Sequence, residues 1–183
     1  MTGDPTSSSS PVVSRAPSTE LIDLVGEERE RAVPVLKDGF VGIYRWHAKR
    51  TLRTATWVRA AIMDGDVRAI SILEQLEAEV GYVYYLSTAA THRRQGLGRL
   101  LLDDALSLFR RQGFRVAYAA AEEDNEPSIA LFRSRGFRLV ERRELGFREG
   151  GLGAWGLRSR MMLVGGEVLL GLRLDATNPP GRS

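Results

Sequence analysis

Residues 91–99 read Thr91-His92-Arg93-Arg94-Gln95-Gly96-Leu97-Gly98-Arg99, between a run dense in Tyr and Val and one rich in leucine. The first run has the composition of a strand and the second the 3.6-residue apolar period of a helix, so the chain must pass from strand to helix here. The opening turn of a helix leaves four N–H groups without intrahelical partners and carries partial positive charge. Gly96 and Gly98 remove side chains that would keep an anion from those groups, and Arg93, Arg94 and Arg99 can add charge-assisted bonds. A diphosphate is the expected ligand; a plain turn before a helix is the alternative. Two nucleotide motifs fit less well. No Gly-Lys pair exists for a nucleoside-triphosphatase loop, and Leu101 stands where a dinucleotide fold has its third glycine.

The surrounding pattern predicts one mixed α/β domain over residues 20–175. Residues 1–19, rich in Ser, Thr and Pro, form a disordered arm and residues 176–183 a flexible tail. A helix over Glu27 to Leu36 is interrupted near Pro34, and a second covers Gly42 to Leu52. Thr56 to Met63 and Val67 to Leu73 flank Asp64-Gly65 as a hairpin, although Ile70 to Leu76 also satisfies a helical period. Val80 to Thr88 is the clearest strand and Leu97 to Gln112 the clearest helix. The helix carries a stripe of Leu97, Leu101, Ala105, Leu108 and Phe109, and Gly113 closes it. Phe114 to Ala121 reads as a buried strand. Asn125 caps a short helix with Pro127 in its first turn. Phe137 to Arg143 is the next strand, the glycines of 150–156 mark a loop, and Met161 to Val164 and Glu167 to Leu174 flank Gly165-Gly166 as a final hairpin. The expected architecture is a mixed, predominantly antiparallel sheet with helices on both faces.

Composition narrows the function. With no cysteine, disulfides, thiolate catalysis and cysteine-ligated zinc are excluded. His47 and His92 are the only histidines, so no metal is expected. Lys37 and Lys49 are the only lysines among 26 basic residues, and the net charge is +3. The arginines are spread along the chain rather than gathered, which favours a solvated surface over a nucleic-acid footprint. No stretch is long and apolar enough for a membrane span, and residues 1–19 lack a secretory core, so a cytoplasmic protein is expected.

Arg93-Arg94-Gln95-Gly96-Leu97-Gly98, following Leu86-Ser87-Thr88, resembles the acyl-CoA-binding motif of the GNAT acetyltransferase superfamily, Gln/Arg-x-x-Gly-x-Gly/Ala. The later segment Asn125-Glu126-Pro127-Ser128-Ile129-Ala130-Leu131-Phe132-Arg133-Ser134-Arg135-Gly136-Phe137 is similar to that family's closing signature. The resemblance spans about Trp57 to Leu139. It implies a GNAT-like fold and transfer of an acetyl group from acetyl-CoA to a primary amine by direct attack.

By that resemblance, residues 93–99 (Arg93, Arg94, Gln95, Gly96, Leu97, Gly98 and Arg99) hold the coenzyme diphosphate. Leu86, Ser87 and Thr88 hold the pantetheine and thioester, and an N–H near Thr88 polarises the carbonyl. Asn125 faces the pantetheine arm, and Ser128 is the small residue that lets the cofactor pass. An amine must lose its proton before attack, since an unperturbed lysine has a pKa near ~10.4. Glu122 and Glu123 are the candidate bases; a solvated strand end is their other reading. Phe132 occupies the coenzyme-side position where the family pattern often has Tyr, and it cannot protonate a departing thiolate. Water or Ser128 can substitute, or the reaction can run without an acid, because a thiol with pKa near ~8.5 leaves reasonably well unprotonated. A catalytically weak acyl-CoA-binding or regulatory module is the alternative.

His92 reads as an exposed loop residue before a cofactor contact or base. His47 reads as part of a half-buried helix face before the wall of a substrate cleft. Core packing accounts first for Tyr82, Tyr84 and Tyr85, and Tyr118 is one strand over from them. The acceptor can be a small molecule, a protein N-terminus or a lysine. The glycine loop and final hairpin can contact it or pair two copies into a homodimer.

Overall fold

A computed structural model describes residues 18–39, 42–141, 161 and 166–174. The predicted arm, the glycine loop of residues 150–156 and the tail lie outside these residues, apart from Pro-free Ser18 and Thr19 at the arm's end. Seven strands form one sheet: β1 (Glu20–Asp23), β2 (Trp57–Met63), β3 (Asp66–Glu77), β4 (Val80–Thr88), β5 (Val116–Glu122), β6 (Arg138–Leu139) and β7 (Glu167–Arg173). Their spatial order is β1-β2-β3-β4-β5-β7-β6. Every neighbouring pair is antiparallel except β4 and β5, which run parallel. A parallel pair needs a crossover connection, and the helix α3 (Leu97–Arg111) supplies it.

The predicted hairpin turn is present. Asp64 and Gly65 both take positive φ, 52° and 82°, as a two-residue type I′ turn requires. Ile70 to Leu76 is strand, because β3 finds ladder partners on both sides and extends beyond Leu73 to Glu77. The first helical region divides as Pro34 suggests: a 3-10 stretch, Gly26–Ala32, precedes α1 (Val33–Gly39). Proline lacks an N–H, which costs nothing in the first turn of a helix. Next comes α2 (Gly42–Thr54) and, after β5, α4 (Glu126–Arg133).

Three expectations need correction. β1 was not anticipated, since four residues with exposed ends give little alternation to read. Of the strand expected over Phe137 to Arg143, Arg138–Leu139 is strand, paired with Gly171 and Leu170 of β7, Val140 and Glu141 are not, and residues 142–143 lie outside the described residues. Met161, expected in a strand, is helical, while residues 162–165 lie outside the described residues. The last strand lies between β5 and β6.

Each face of the sheet carries its own core. On one, Leu24, which follows β1, and Val35, Leu36, Ala48 and Leu52 of α1 and α2 pack on Val58, Ala60, Ile70 and Ile72. On the other, Leu102, Ala105, Leu106 and Phe109 of α3 pack on Leu73, Val83, Ala117 and Ala119, joined by Phe132 of α4. All five residues of the predicted α3 stripe are buried, and each large side chain so placed contributes about 1.5–3 kcal/mol. Arg59 of β2 donates to both oxygens of Asp104 on α3, at 2.7 and 3.1 Å. Arg135, just past α4, does the same to Asp103. The first fork holds α3 against the sheet and the second ties it to the end of α4. Among the described residues no helix is long and apolar enough to cross a membrane.

Candidate active site

β4 and β5 pair only from Val80↔Val116 to Val83↔Ala119. Beyond that rung β4 continues to Thr88 and β5 to Glu122, so a slot opens between parallel strands toward their C-terminal ends. On its other side β4 stays paired with β3, through Leu86↔Ser71, Ser87↔Ile70 and Thr88↔Ala69. The expected thioester-holding segment is thus fixed along one edge and faces the slot along the other.

At the end of β4 the chain reaches the start of α3. Gly96 is the N-cap residue, with φ 84°, and no side chain caps the helix. Its backbone is left-handed, a conformation that glycine adopts without penalty. Arg94 is also left-handed, at φ 62°. A non-glycine residue held there stores strain, which concentrates at functional turns. Gly98 differs. A Cβ at position 98 would meet nothing closer than Leu131 Cδ2 at 3.5 Å, an ordinary contact. Packing within the chain therefore does not demand glycine at 98. Bare amides of the first turn, with Arg94 and Arg99 exposed beside them, make a cradle of the right chemistry for a diphosphate.

Arg93 does other work. Its Nη2 donates to the main-chain oxygen of Asp38 at 2.8 Å and its Nε to that of Thr88 at 3.5 Å. The Asp38 carboxylate accepts from Ala90 N–H at 3.2 Å, so the end of α1 is tied to the loop. Gln95 bonds within the loop, to the Thr91 oxygen at 3.4 Å. Ser87 is buried and its hydroxyl donates to the Val35 oxygen at 3.1 Å, which points its side chain at α1.

Glu122 and Glu123 lie exposed at the open end of the slot, with Glu123 N–H bonded to the Gly166 oxygen at 2.8 Å. Asn125 caps α4 as expected, its Oδ1 accepting from Ser128 N–H at 3.2 Å. Ser128 is half-buried in the first turn. Phe132 is 4% exposed and meets Phe137 edge-on, ring centroids 5.1 Å apart. His92 shares a 2.8 Å bond with Thr91, its sequence neighbour, at the chain surface.

One group escaped the sequence reading. β3 pairs Ile72 with Tyr85 but Leu73 with Val83, so Tyr84 is an extra residue in β4. Such a bulge breaks the alternation of side chains, and both Tyr84 and Tyr85 meet His47 of α2. The His47 and Tyr84 rings stack with centroids 5.8 Å apart, and His47 Nδ1 lies 2.8 Å from the Tyr85 hydroxyl. Burial, and then the charge of Arg50, hold the His47 pKa below its usual value. Burial, with Glu74 and Glu167 adding to it, pushes the Tyr84 hydroxyl up to about 12. The sequence carries no local signal for it: a regular strand would put Tyr84 and Tyr85 on opposite faces, and only the pairing with β3 creates the bulge.

Sheet order, slot and glycine-led helix together define an acyltransferase fold of the GNAT type. The profile of the Acetyltransferase (GNAT) family matches residues 17–137, and the chain belongs to that family of enzymes. A curated relative, the probable N-acetyltransferase HLS1 of Arabidopsis thaliana, is 34% identical over 64 residues, 35% of this chain and 16% of that protein. The matched segment thus spans about a sixth of the relative's length. Among solved structures, the ribosomal-protein-S18-alanine N-acetyltransferase of Escherichia coli superposes with TM-score 0.66 at 14% identity, covering 91% of this chain and 100% of that one. A GNAT family acetyltransferase from Elizabethkingia anophelis, solved with acetyl-CoA bound, gives TM-score 0.64 at 13% identity, covering 85% and 97%. Similarity at that level shows the shared fold.

Proposed function

We propose that this protein transfers an acetyl group from acetyl-CoA to a primary amine. The observation that carries the reading is the meeting of the β4/β5 slot with the uncapped start of α3, where glycine at 98 has no internal packing reason. The amides of residues 97–99 with Arg94 and Arg99 hold the diphosphate. The backbone of Leu86 to Thr88 holds the pantetheine and thioester in the slot, with an N–H near Thr88 turned to the carbonyl oxygen. α3 and α4 occupy one face of the sheet, so the acceptor enters from the other, beside α1 and α2. Glu122 and Glu123 flank the open end and are available to take a proton through water.

A second reading is favoured by one observation. Phe132 has no hydroxyl and its ring packs on Phe137, so it gives no help to a leaving thiolate. On that reading the domain binds acyl-CoA without efficient transfer. Calorimetry with CoA and thiol release from acetyl-CoA separate the two, and a chain without cysteine adds no thiol background. Micromolar CoA binding with amine-dependent thiol release supports the transferase. Tight binding with no release on spermidine, tyramine or an alanine-led tripeptide supports the binding module.

A further inference from the structure

Tyr84 and Tyr85 are the first residues of β4 past the last rung shared with β5. The extra residue at Tyr84 turns both side chains toward α2, away from the face that α3 covers. Tyr85, His47 and Tyr84 are half-buried, and Trp46, next to His47, is 63% exposed. The bulge therefore sets a hydroxyl–imidazole pair at the origin of the slot, one residue before Leu86.

We propose that the Tyr85 hydroxyl contacts the acceptor amine and passes its proton to His47, which acts as a positioning and proton-storing residue through Tyr85. The inference rests on the transferase reading above. The Thr51 hydroxyl donates to the His47 main-chain oxygen at 3.0 Å and lies 3.4 Å from Nδ1, farther than the Tyr85 hydroxyl. The 2.8 Å contact between the Tyr85 hydroxyl and Nδ1 serves the relay with Tyr85 as donor and Nδ1 as acceptor, which is the Nε2–H tautomer of a neutral imidazole. In the forward step an N–H bond of the acceptor ammonium breaks and its proton goes to Tyr85 Oη, as the Tyr85 proton goes to His47 Nδ1. The lone pair left on nitrogen forms the C–N bond, and the C–S bond breaks with its electron pair on sulfur. A second ammonium proton neutralises the thiolate, and His47 returns its proton to water. Tyr84, stacked on the imidazole, walls one side.

Two measurements test this. Nitrogen NMR of the full chain, with His47 resolved from His92 by a His92→Gln variant, reads the tautomer. The expected result is Nε2–H, with the Nδ1 resonance moving in Tyr85→Phe; an Nδ1–H tautomer overturns the relay. Thiol release is then compared for tyramine, an alkylammonium, and for a hydrazide, which is already neutral. In Tyr85→Phe and His47→Gln the tyramine rate falls ~10²-fold, at the low end of general-base effects, while the hydrazide rate changes less than about threefold and CoA affinity holds. Equal losses on both amines overturn the relay and leave the transferase reading standing. Release from neither amine by a wild-type chain that binds CoA overturns both.

Discussion

Arg93 donates from Nη2 to the main-chain oxygen of Asp38 at 2.8 Å, and the Asp38 carboxylate accepts the Ala90 N–H at 3.2 Å. The end of α1 is thereby latched to the loop that precedes α3. An arginine the motif assigns to phosphate is engaged with the protein's own backbone, while Arg94 and Arg99 remain exposed beside the cradle.

The two neighbours should therefore separate on mutation. Arg94→Ala is expected to weaken CoA binding about five- to tenfold, the loss of one charge-assisted bond at an exposed site. Arg93→Ala should cost about 1 kcal/mol of stability by freeing the α1 end, with a smaller effect on affinity. Calorimetry with CoA and denaturant unfolding check both. Equal affinity losses would contradict the assignment.

Gly96 and Gly98 should behave in opposite ways. Gly96→Ala forces a left-handed alanine and costs about 1 kcal/mol or more. Gly98→Ala has room for its methyl group and adds helix propensity, so stability should hold or rise by up to ~0.5–1 kcal/mol. That variant should nonetheless lose CoA affinity, because the methyl occupies the face left bare. Melting curves paired with CoA titrations decide this. A Gly98→Ala chain that binds CoA normally would remove the cradle argument.

How far the sequence could be read follows the range of the interactions involved. The α3 stripe, the Asp64-Gly65 turn and the Asn125 cap depend on residues within a turn or two, and each was legible. β1 and the truncated β6 depend on which strand lies alongside, and no local pattern reports that. The site divides the same way. Its glycine turn was visible in Arg94 to Gly98. The Arg93–Asp38 latch and the His47–Tyr85 bond join positions 55 and 38 apart, and the second exists only because of a bulge that pairing creates. Ser87, expected on the pantetheine, gives its hydroxyl to the Val35 oxygen.

His47 adds a pH dependence to stability. Its folded pKa is depressed, by burial first and by Arg50 second. The unfolded chain takes up a proton near ~6.5, where the folded chain still resists it, so stability falls as pH drops from there through the lower folded pKa. Guanidinium unfolding at pH 7.5 and 5.5 should show a loss that His47→Gln reduces. An identical loss in the variant would contradict the coupling.

Phe132 is a core residue whatever its place in the motif. Phe132→Ala should cost about 3–5 kcal/mol, as a buried ring lost from a packed core does. Chemical denaturation measures it, and a change under 1 kcal/mol would show that the ring is not packed as described.

The central claim is that the slot and the α3 cradle serve acetyl transfer to an amine. Incubation of the full chain with acetyl-CoA and an amine panel, reading thiol release by colour and product by mass, tests it most directly. The account predicts one acetylated amine for each thiol released, dependent on the amine. CoA binding with no acetylated product on any amine, or thiol release indifferent to the amine, would contradict it.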